Sequence, residues 1–347
     1  MKQEKGIITI NDVAKATGVS KTTISRYLNG KYEYMSENTR KRIQNVIEEL
    51  NYRPSNVAKT LKSNKSGLIG VIIADIANQF SSILVKGIGD VCKTNGYQVM
   101  ISNVDNDPEK EKEYIQSLMD NRVEGIIVNT TGYNDDFLVE INENRVPLVL
   151  ADRTMKELKI DSVATNNYNM TFDTIKFLIE KGYKNIAFFT EEPHKNSARH
   201  LRRQGYLDAM QQYLGVDANK LVYTIDSEDE STSINAIEEF NNLYNNKLKA
   251  IFTVNGVILL SVLQSIKKCK YKIPEDFYVC GYEDWGWATL VYSEIPVITQ
   301  HSYEVGAESA KMLIKRINGK RKGKPKYKEL QAKLIIGNQN KLNYMEV

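Results

Sequence analysis

From Leu68 onward the chain alternates continuous apolar runs with amphipathic stretches, and this rhythm constrains its fold more than any other feature. The run LIGVIIA at 68–74 lacks polar alternation, as a strand buried on both faces requires. YQVMISN, PEKEKEYIQSLMDN and EGIIVN follow, then a helix near 135–143 and the strand PLVLA. The pattern restarts with SVATN, KNIAFFT, KLVYTI, KAIFTV and DFYVCG. Strands that alternate with helices predict doubly wound parallel sheets. A lone sheet would need too many strands, so the pattern predicts two. At 347 residues the chain is long enough for two or three domains.

The N-terminal segment follows a different period. TINDVAKATGVSKTTISRYLNGK, Thr9 to Lys31, reads as helix, tight turn, helix. Asn11 is the expected N-cap of the first helix. Val13, Ala14 and Ala16 give it a small apolar face, and Gly18 supplies the turn. Ser20 caps the second helix, Lys21 to Leu28, with Ile24 and Leu28 at i, i+4. Lys21, Thr22, Ser25 and Arg26 then face outward, and a short helix with donors on its outer face fits a major groove. Helical hairpins also occur where no DNA is bound, so this stretch alone is not decisive. A third helix starts at Ser36, with Ile43, Val46, Ile47 and Leu50 on one face. Tyr27, Tyr32 and Tyr34 are expected to pack. Pro54 marks a boundary, and the segment 56–62 is too short to be a stable helix alone in water.

Charge separates the two parts. Residues 1–65 hold thirteen Lys or Arg against six acids, whereas the remainder is mildly acidic. Such asymmetry suits a polyanion-binding head on a body that does not bind one. Cys92, Cys269 and Cys280 are widely spaced and read as reduced, buried thiols. The segment MKQEKGIITI has no apolar signal core and no run of eighteen apolar residues occurs, so a cytoplasmic protein without membrane contact is expected. His194, His200 and His301 show no metal or triad spacing, and no nucleophile-elbow or phosphate-loop motif occurs. No enzyme, cofactor or metal is expected. The basic stretch NGKRKGKPKYK at 318–328 is read as a solvated loop.

Several stretches together carry a resemblance. DVAKATGVSKTTISRYLNG, MSENTRKRIQNVIEELNYRPSNVAKTLKS, GLIGVIIADIANQFSSILVKGI, NVDNDPEKEKEYIQSLMDNRVEGIIV and VITQHSYEVG are similar to the lactose-repressor (LacI) family of bacterial transcription regulators. The similarity runs from roughly Ile8 to Gly337. NGKYEYMS and WGW resemble repressors of ketodeoxygluconate and uronate catabolism. The resemblance implies an all-α helix-turn-helix headpiece and an α/β, periplasmic-binding-protein-like core of two doubly wound parallel-sheet subdomains. It divides the chain into a head at 1–54, a hinge at 55–65, a core at 66–338 and a tail at 339–347. Within the core, about 66–155 and 301–320 would form one subdomain, and about 156–300 and 325–338 the other.

The same resemblance implies partners and contacts. The partners would be double-stranded operator DNA, a second copy of the chain in a homodimer, and a sugar or sugar-acid effector. Lys21, Thr22 and Arg26 would read the major groove, and Thr23, Asn29 and Tyr32 would touch phosphate. Val57 and Ala58 would pack paired hinge helices, with Lys62 on the backbone and Leu61 wedged between minor-groove base steps. Effector contacts would come from Asn78, Phe80, Asp105, Arg153, Arg202, Asn255, Glu283, Trp285 and Gln300. Trp287 could join Trp285 in stacking on a sugar face. Two positions depart from the family's pattern: Gly256 and Glu283 stand where an aspartate is usual. Arg153, Arg199 and Arg202, with Lys195 nearby, favour an anionic ligand gripped bidentately by Arg202. The alternatives are a regulator controlled by a phosphorylated carrier protein and a solute-binding protein without a regulatory role.

Overall fold

The computed structural model describes residues 8–53, 65–144, 146–287, 292 and 295–336. The chain divides into two compact units, Met1–Gly67 and Leu68–Val347.

The first unit contains α1 (Ile10–Thr17), α2 (Lys21–Leu28) and α3 (Glu37–Glu49). One buried residue from each helix, Val13, Ile24 and Ile43, meets Tyr52 in a small core. The first N-cap is Thr9 rather than Asn11. Thr9 donates from Oγ1 and from its backbone N to Asp12 Oδ2, at 2.7 and 2.8 Å. The helix therefore starts two residues earlier than the asparagine suggested, because Asp12 can reach back to close it. Gly18 does end α1 with φ 66°, and Ser20 and Ser36 cap the next two helices. The tyrosines divide: Tyr27 packs on the core, while Tyr32 and Tyr34 are exposed.

The second unit is built on two six-stranded sheets. The first contains β1 (Leu68–Ile73), β2 (Gln98–Asn103), β3 (Gly125–Val128), β4 (Leu148–Ala151), β5 (Asp161–Thr165) and β11 (Tyr327–Leu330), in the order β11-β5-β4-β3-β1-β2. The second contains β6 (Asn185–Thr190), β7 (Val222–Thr224), β8 (Lys249–Thr253), β9 (Tyr278–Tyr282), β10 (Val297–Thr299) and β12 (Lys333–Ile335), in the order β12-β10-β9-β8-β6-β7. Among the described residues every pairing is parallel except β10 with β12. Helices cover both faces of each sheet, so the central strands are buried throughout, as their unbroken apolar runs require. Among the described residues no helix is long and apolar enough to cross a membrane.

Two subdomain assignments are corrected. SVATN does not open the second half, because β5 pairs with β4 in the first sheet. Residues 327–330 do not join the second subdomain, because β11 pairs with β5. A run of apolar residues announces a strand but not its neighbour. Asp161 supplies part of what fixes the choice. Its fully buried carboxylate accepts from Arg316 Nε and Nη2, from Arg321 Nε and Nη2, and from the backbone N of Lys326, all within 3.0 Å. Burial raises its pKa, but these donors outweigh it and hold the carboxyl below its usual value. The basic loop at 318–328 is thus partly an anchor for β5 rather than only a solvated connection.

The chain crosses between the sheets at Asn166, at Gln300 and at Gln331. The first and third crossings are tied together. Asn166 donates from its backbone N to Leu330 O (3.0 Å) and from Nδ2 to Gln331 Oε1 (2.8 Å), and its Oδ1 accepts from Ala332 N (2.8 Å).

Candidate DNA-reading helix and ligand cleft

On the head, the outer face of α2 presents Lys21, Thr22, Arg26 and Asn29 to solvent. Thr23 is half-buried and donates its backbone N to Ser20 Oγ (3.2 Å), so part of its polarity is spent on the cap. The Arg26 guanidinium rests 4.7 Å from the Tyr34 ring, and Arg40 lies 4.0 Å from Tyr32. Asn29 Nδ2 donates to Ser25 O (2.7 Å). Val57, Ala58, Leu61 and Lys62 lie outside the described residues.

The cleft lies between the two sheets, at the C-terminal ends of their strands, where open α/β sheets hold ligands. Its inner part is a pocket of about 60 Å³. Phe80 and Trp285 give it two aromatic walls, and Asn78, Asp152, Asn255, Glu283 and Gln300 give it polar groups. Asn196, the N-cap of α8 (Ser197–Leu214), enters it together with Arg199 and Arg202 from that helix. Local structure positions these side chains. Asn78 caps α4 (Gln79–Thr94) by accepting from Phe80 N (3.0 Å), and Asn255 caps α10 (Gly256–Lys268) by accepting from Ile258 N (2.9 Å). Asp152, Glu283 and Trp285 hold left-handed φ values of 70°, 57° and 47°. Strained backbone of this kind clusters where a site over-determines its residues.

Arg202 is the hub of the pocket wall. It is 5% exposed and stacks 3.7 Å from the Tyr282 ring centroid. Nε donates to Asn167 Oδ1 (2.7 Å), Nη1 to Val254 O (2.7 Å) and Nη2 to Gln300 Oε1 (2.8 Å). Each of its three nitrogens therefore already donates to a protein acceptor, and one N–H on each Nη is left for a ligand, where the sequence had suggested a fully open fork. Beside it, Glu283 accepts from Gln300 N (3.0 Å). Burial pushes the Glu283 carboxyl up to about 7, against the opposing pull of that amide and of Arg202. Burial likewise raises Asp152, opposed by Arg202 and Arg153.

The departure at Gly256 has a steric cause. A Cβ there would lie 2.5 Å from both Glu283 O and the Trp285 ring. The indole occupies the space an aspartate would need. From there Trp285 also packs against the apolar cluster of the first sheet that includes Phe80. Trp287 does not share that position, because it packs on the second sheet's core.

Beyond the inner pocket lies an outer chamber of about 750 Å³, and both are lined by Asn196 and Arg199. Asp105 and Arg153 belong to this outer space and not to the inner one. Asp105 is exposed and pairs with Lys110 (2.9 Å). Arg153 Nη1 donates to Asn106 Oδ1 and Thr130 O, both at 3.0 Å. At the mouth the two subdomains touch. Thr154 N donates to Ser197 Oγ (2.8 Å), and a Cβ on Gly132 would lie 2.4 Å from Lys195 O. An inner volume of about 60 Å³ is far below the roughly 300–1,000 Å³ of ordinary ligand sites, so the cleft is closed here.

Asn78, Phe80, Arg202, Asn255, Glu283, Trp285 and Gln300 thus converge on one pocket. Sequence reasoning favoured Arg153 over Asp152, yet Asp152 directly follows the last residue of β4 and is the one that reaches the pocket. Asn196 was missed as a pocket residue, and Arg199 was read only as part of the cleft's positive charge. An asparagine N-cap followed by a first-turn arginine, on a helix that starts beyond a strand end, was the available signal.

Two family models match the chain. "Bacterial regulatory proteins, lacI family" covers residues 9–55, and "Periplasmic binding proteins and sugar binding domain of LacI family" covers 66–342. The HTH-type transcriptional regulator KdgR of Bacillus subtilis (strain 168) is 38% identical over 335 residues, spanning 96% of this chain and 98% of the relative. The probable HTH-type transcriptional regulator EndR of Paenibacillus polymyxa is 34% identical over 316 residues, spanning 90% and 92%. Among solved structures, the lac repressor dimer bound to operator and the anti-inducer ONPF matches with a TM-score of 0.82. It is 23% identical and covers 95% of this chain and 98% of that one, a likeness of fold.

Proposed function

We propose a function from one established premise: the chain belongs to the LacI family of bacterial regulatory proteins. It is a transcriptional repressor that binds double-stranded operator DNA as a homodimer and responds to a small carbohydrate or sugar acid held in the cleft. It is a regulator rather than an enzyme, and it works in the cytoplasm beside its DNA. The regulators it resembles and the operator-bound lac repressor dimer support this reading.

The observation that carries it is the exposed donor face of α2, with Lys21, Thr22 and Arg26 on one side of a helix whose Ile24 is fully buried. Side chains so placed can reach base edges while the helix stays anchored. Thr23, Asn29 and Tyr32 would hold phosphate, and Val57, Ala58, Leu61 and Lys62 would serve the hinge. The inner pocket would take the hydroxyl-bearing body of the ligand against Phe80 and Trp285. Ligand-dependent closure would then bias which conformation binds DNA.

The test is selection of duplexes from a random pool by the full chain. A shared motif with two-fold symmetry is expected, since paired half-sites mirror a two-fold dimer. A selected pool no richer in any sequence than the starting one would reject the reading.

A further inference from the structure

We infer that the outer chamber is an anion-binding subsite, in which Arg153 receives the carboxylate or phosphate end of a ligand whose polyol body lies in the inner pocket. The inference rests on the ligand-cleft reading above, and names the charge and the second contact point of that ligand.

The first argument is one of free donors. Arg202 already donates once from each of Nε, Nη1 and Nη2, to Asn167, Val254 and Gln300, so three of its five N–H groups are used. Arg153 bonds through Nη1 alone, and its buried Nε has no hydrogen-bond partner among the described residues. Arg199 is neutralised by Glu191 at 2.6 Å, whereas Arg153 makes no ion pair among the described residues. A buried guanidinium nitrogen without an acceptor is costly, and an incoming oxyanion removes that cost.

The second argument is electrostatic. Burial depresses the Arg153 guanidinium, and the charges of Asp152, Glu111 and Glu191 oppose the depression while Arg199 adds to it. The nearby acids have other work. Glu191 bridges Arg199 and Asn255 Nδ2, and Glu111 accepts from Thr131 and Asn134. Asp105 pairs with Lys110. Glu192 and Asp226 are exposed. The eighteen-residue α8 also begins at Ser197, so its positive end adds to the same field.

The third argument is continuity. Asn196 and Arg199 line both spaces, so a single ligand can occupy the pocket and extend into the chamber.

The experiment uses the full chain and its two tryptophans, Trp285 and Trp287, as fluorescence reporters, backed by calorimetry. The probes are inorganic phosphate, D-gluconate, 6-phospho-D-gluconate and neutral D-glucitol at matched ionic strength. Saturable anion binding is expected, weakened about tenfold or more in Arg153→Gln, with D-glucitol binding unchanged. Arg153→Lys should restore part of the loss. If Arg153→Gln does not fold, Arg153→Met supplies the same contrast at a residue that lines only the outer chamber. A preference for gluconate over its phosphate identifies the carboxylate as the natural group, and the reverse identifies the phosphate. Anion binding equal in wild type and variant, or none in wild type, overturns the subsite. Phosphate binding through Arg153 with no response to any of the three sugar derivatives would keep the subsite and reject the carbohydrate reading. Glucitol and both acids binding alike, independent of Arg153, would do the opposite.

Discussion

Arg202 donates from Nη2 to the side-chain oxygen of Gln300 at 2.8 Å, and Gln300 lies on the second of the three segments that cross between the sheets. Gln300 N in turn donates to Glu283. The wall of the inner pocket and one of the crossing segments are therefore a single hydrogen-bonded unit. A ligand that displaced either side chain would act directly on this crossing segment, which would give a coupling between cleft and head a physical carrier.

Replacement of Arg202 by Ala removes that link and leaves buried acceptors on Asn167, Val254 and Gln300 without partners. The core should lose roughly 2–4 kcal/mol of stability, read from urea unfolding followed by tryptophan emission. Below the unfolding range the variant should still bind operator, because the head is a separate compact unit, but ligand should no longer change that affinity. A retained ligand response would detach Arg202 from the coupling.

Glu283 makes core stability depend on pH. Its folded pKa of about 7 lies above its ordinary 4.5, so the folded state holds the proton more tightly. Its contribution is therefore fully present below about 4.5 and is lost as pH rises towards 7. The loss should amount to roughly 2–4 kcal/mol. Glu283→Gln keeps the acceptor for Gln300 N and removes the titration. Unfolding curves at pH 5 and pH 8 should show a smaller fall for the variant, and equal falls would place the titrating group elsewhere.

Gly132→Val should prop the mouth open. Its Cβ would meet Lys195 O at 2.4 Å across the cleft, on a residue with φ 85°. Widening the mouth should expose Trp285 and shift its emission to the red, with weaker ligand binding. The intrinsic cost of the substitution should be about 1–3 kcal/mol. An unchanged spectrum would show that the mouth contact does not govern closure.

The head should supply the sequence preference. Lys21→Ala and Arg26→Ala are each expected to cost about 1–3 kcal/mol at one base pair of the operator, measured by anisotropy across single-base variants. A chain that begins at Gly67 should fold and bind ligand but not operator. Base preference unaltered in Arg26→Ala would move the reading face off α2.

Much of this was legible in the sequence because it depends on neighbours along the chain. The helix boundaries of the head follow from Ser20, Gly18 and Ser36, whose caps and turns act within three residues. The strands follow from apolar runs, and the strand-end position of Asn78, Asn255, Glu283 and Gln300 follows from the strands. What the tertiary structure decided depends on groups far apart in sequence. β5 belongs to the first sheet partly because Asp161 finds Arg316 and Arg321, more than 150 residues away. Arg202 is a structural hub rather than an open grip because Asn167, Val254 and Gln300 converge on it from three elements. Arg153 keeps a free donor for the complementary reason, since among the described residues no acceptor folds back onto its Nε. Local chemistry thus determined which elements form, while long-range pairing of donors with acceptors decided which side chains remain available to a ligand.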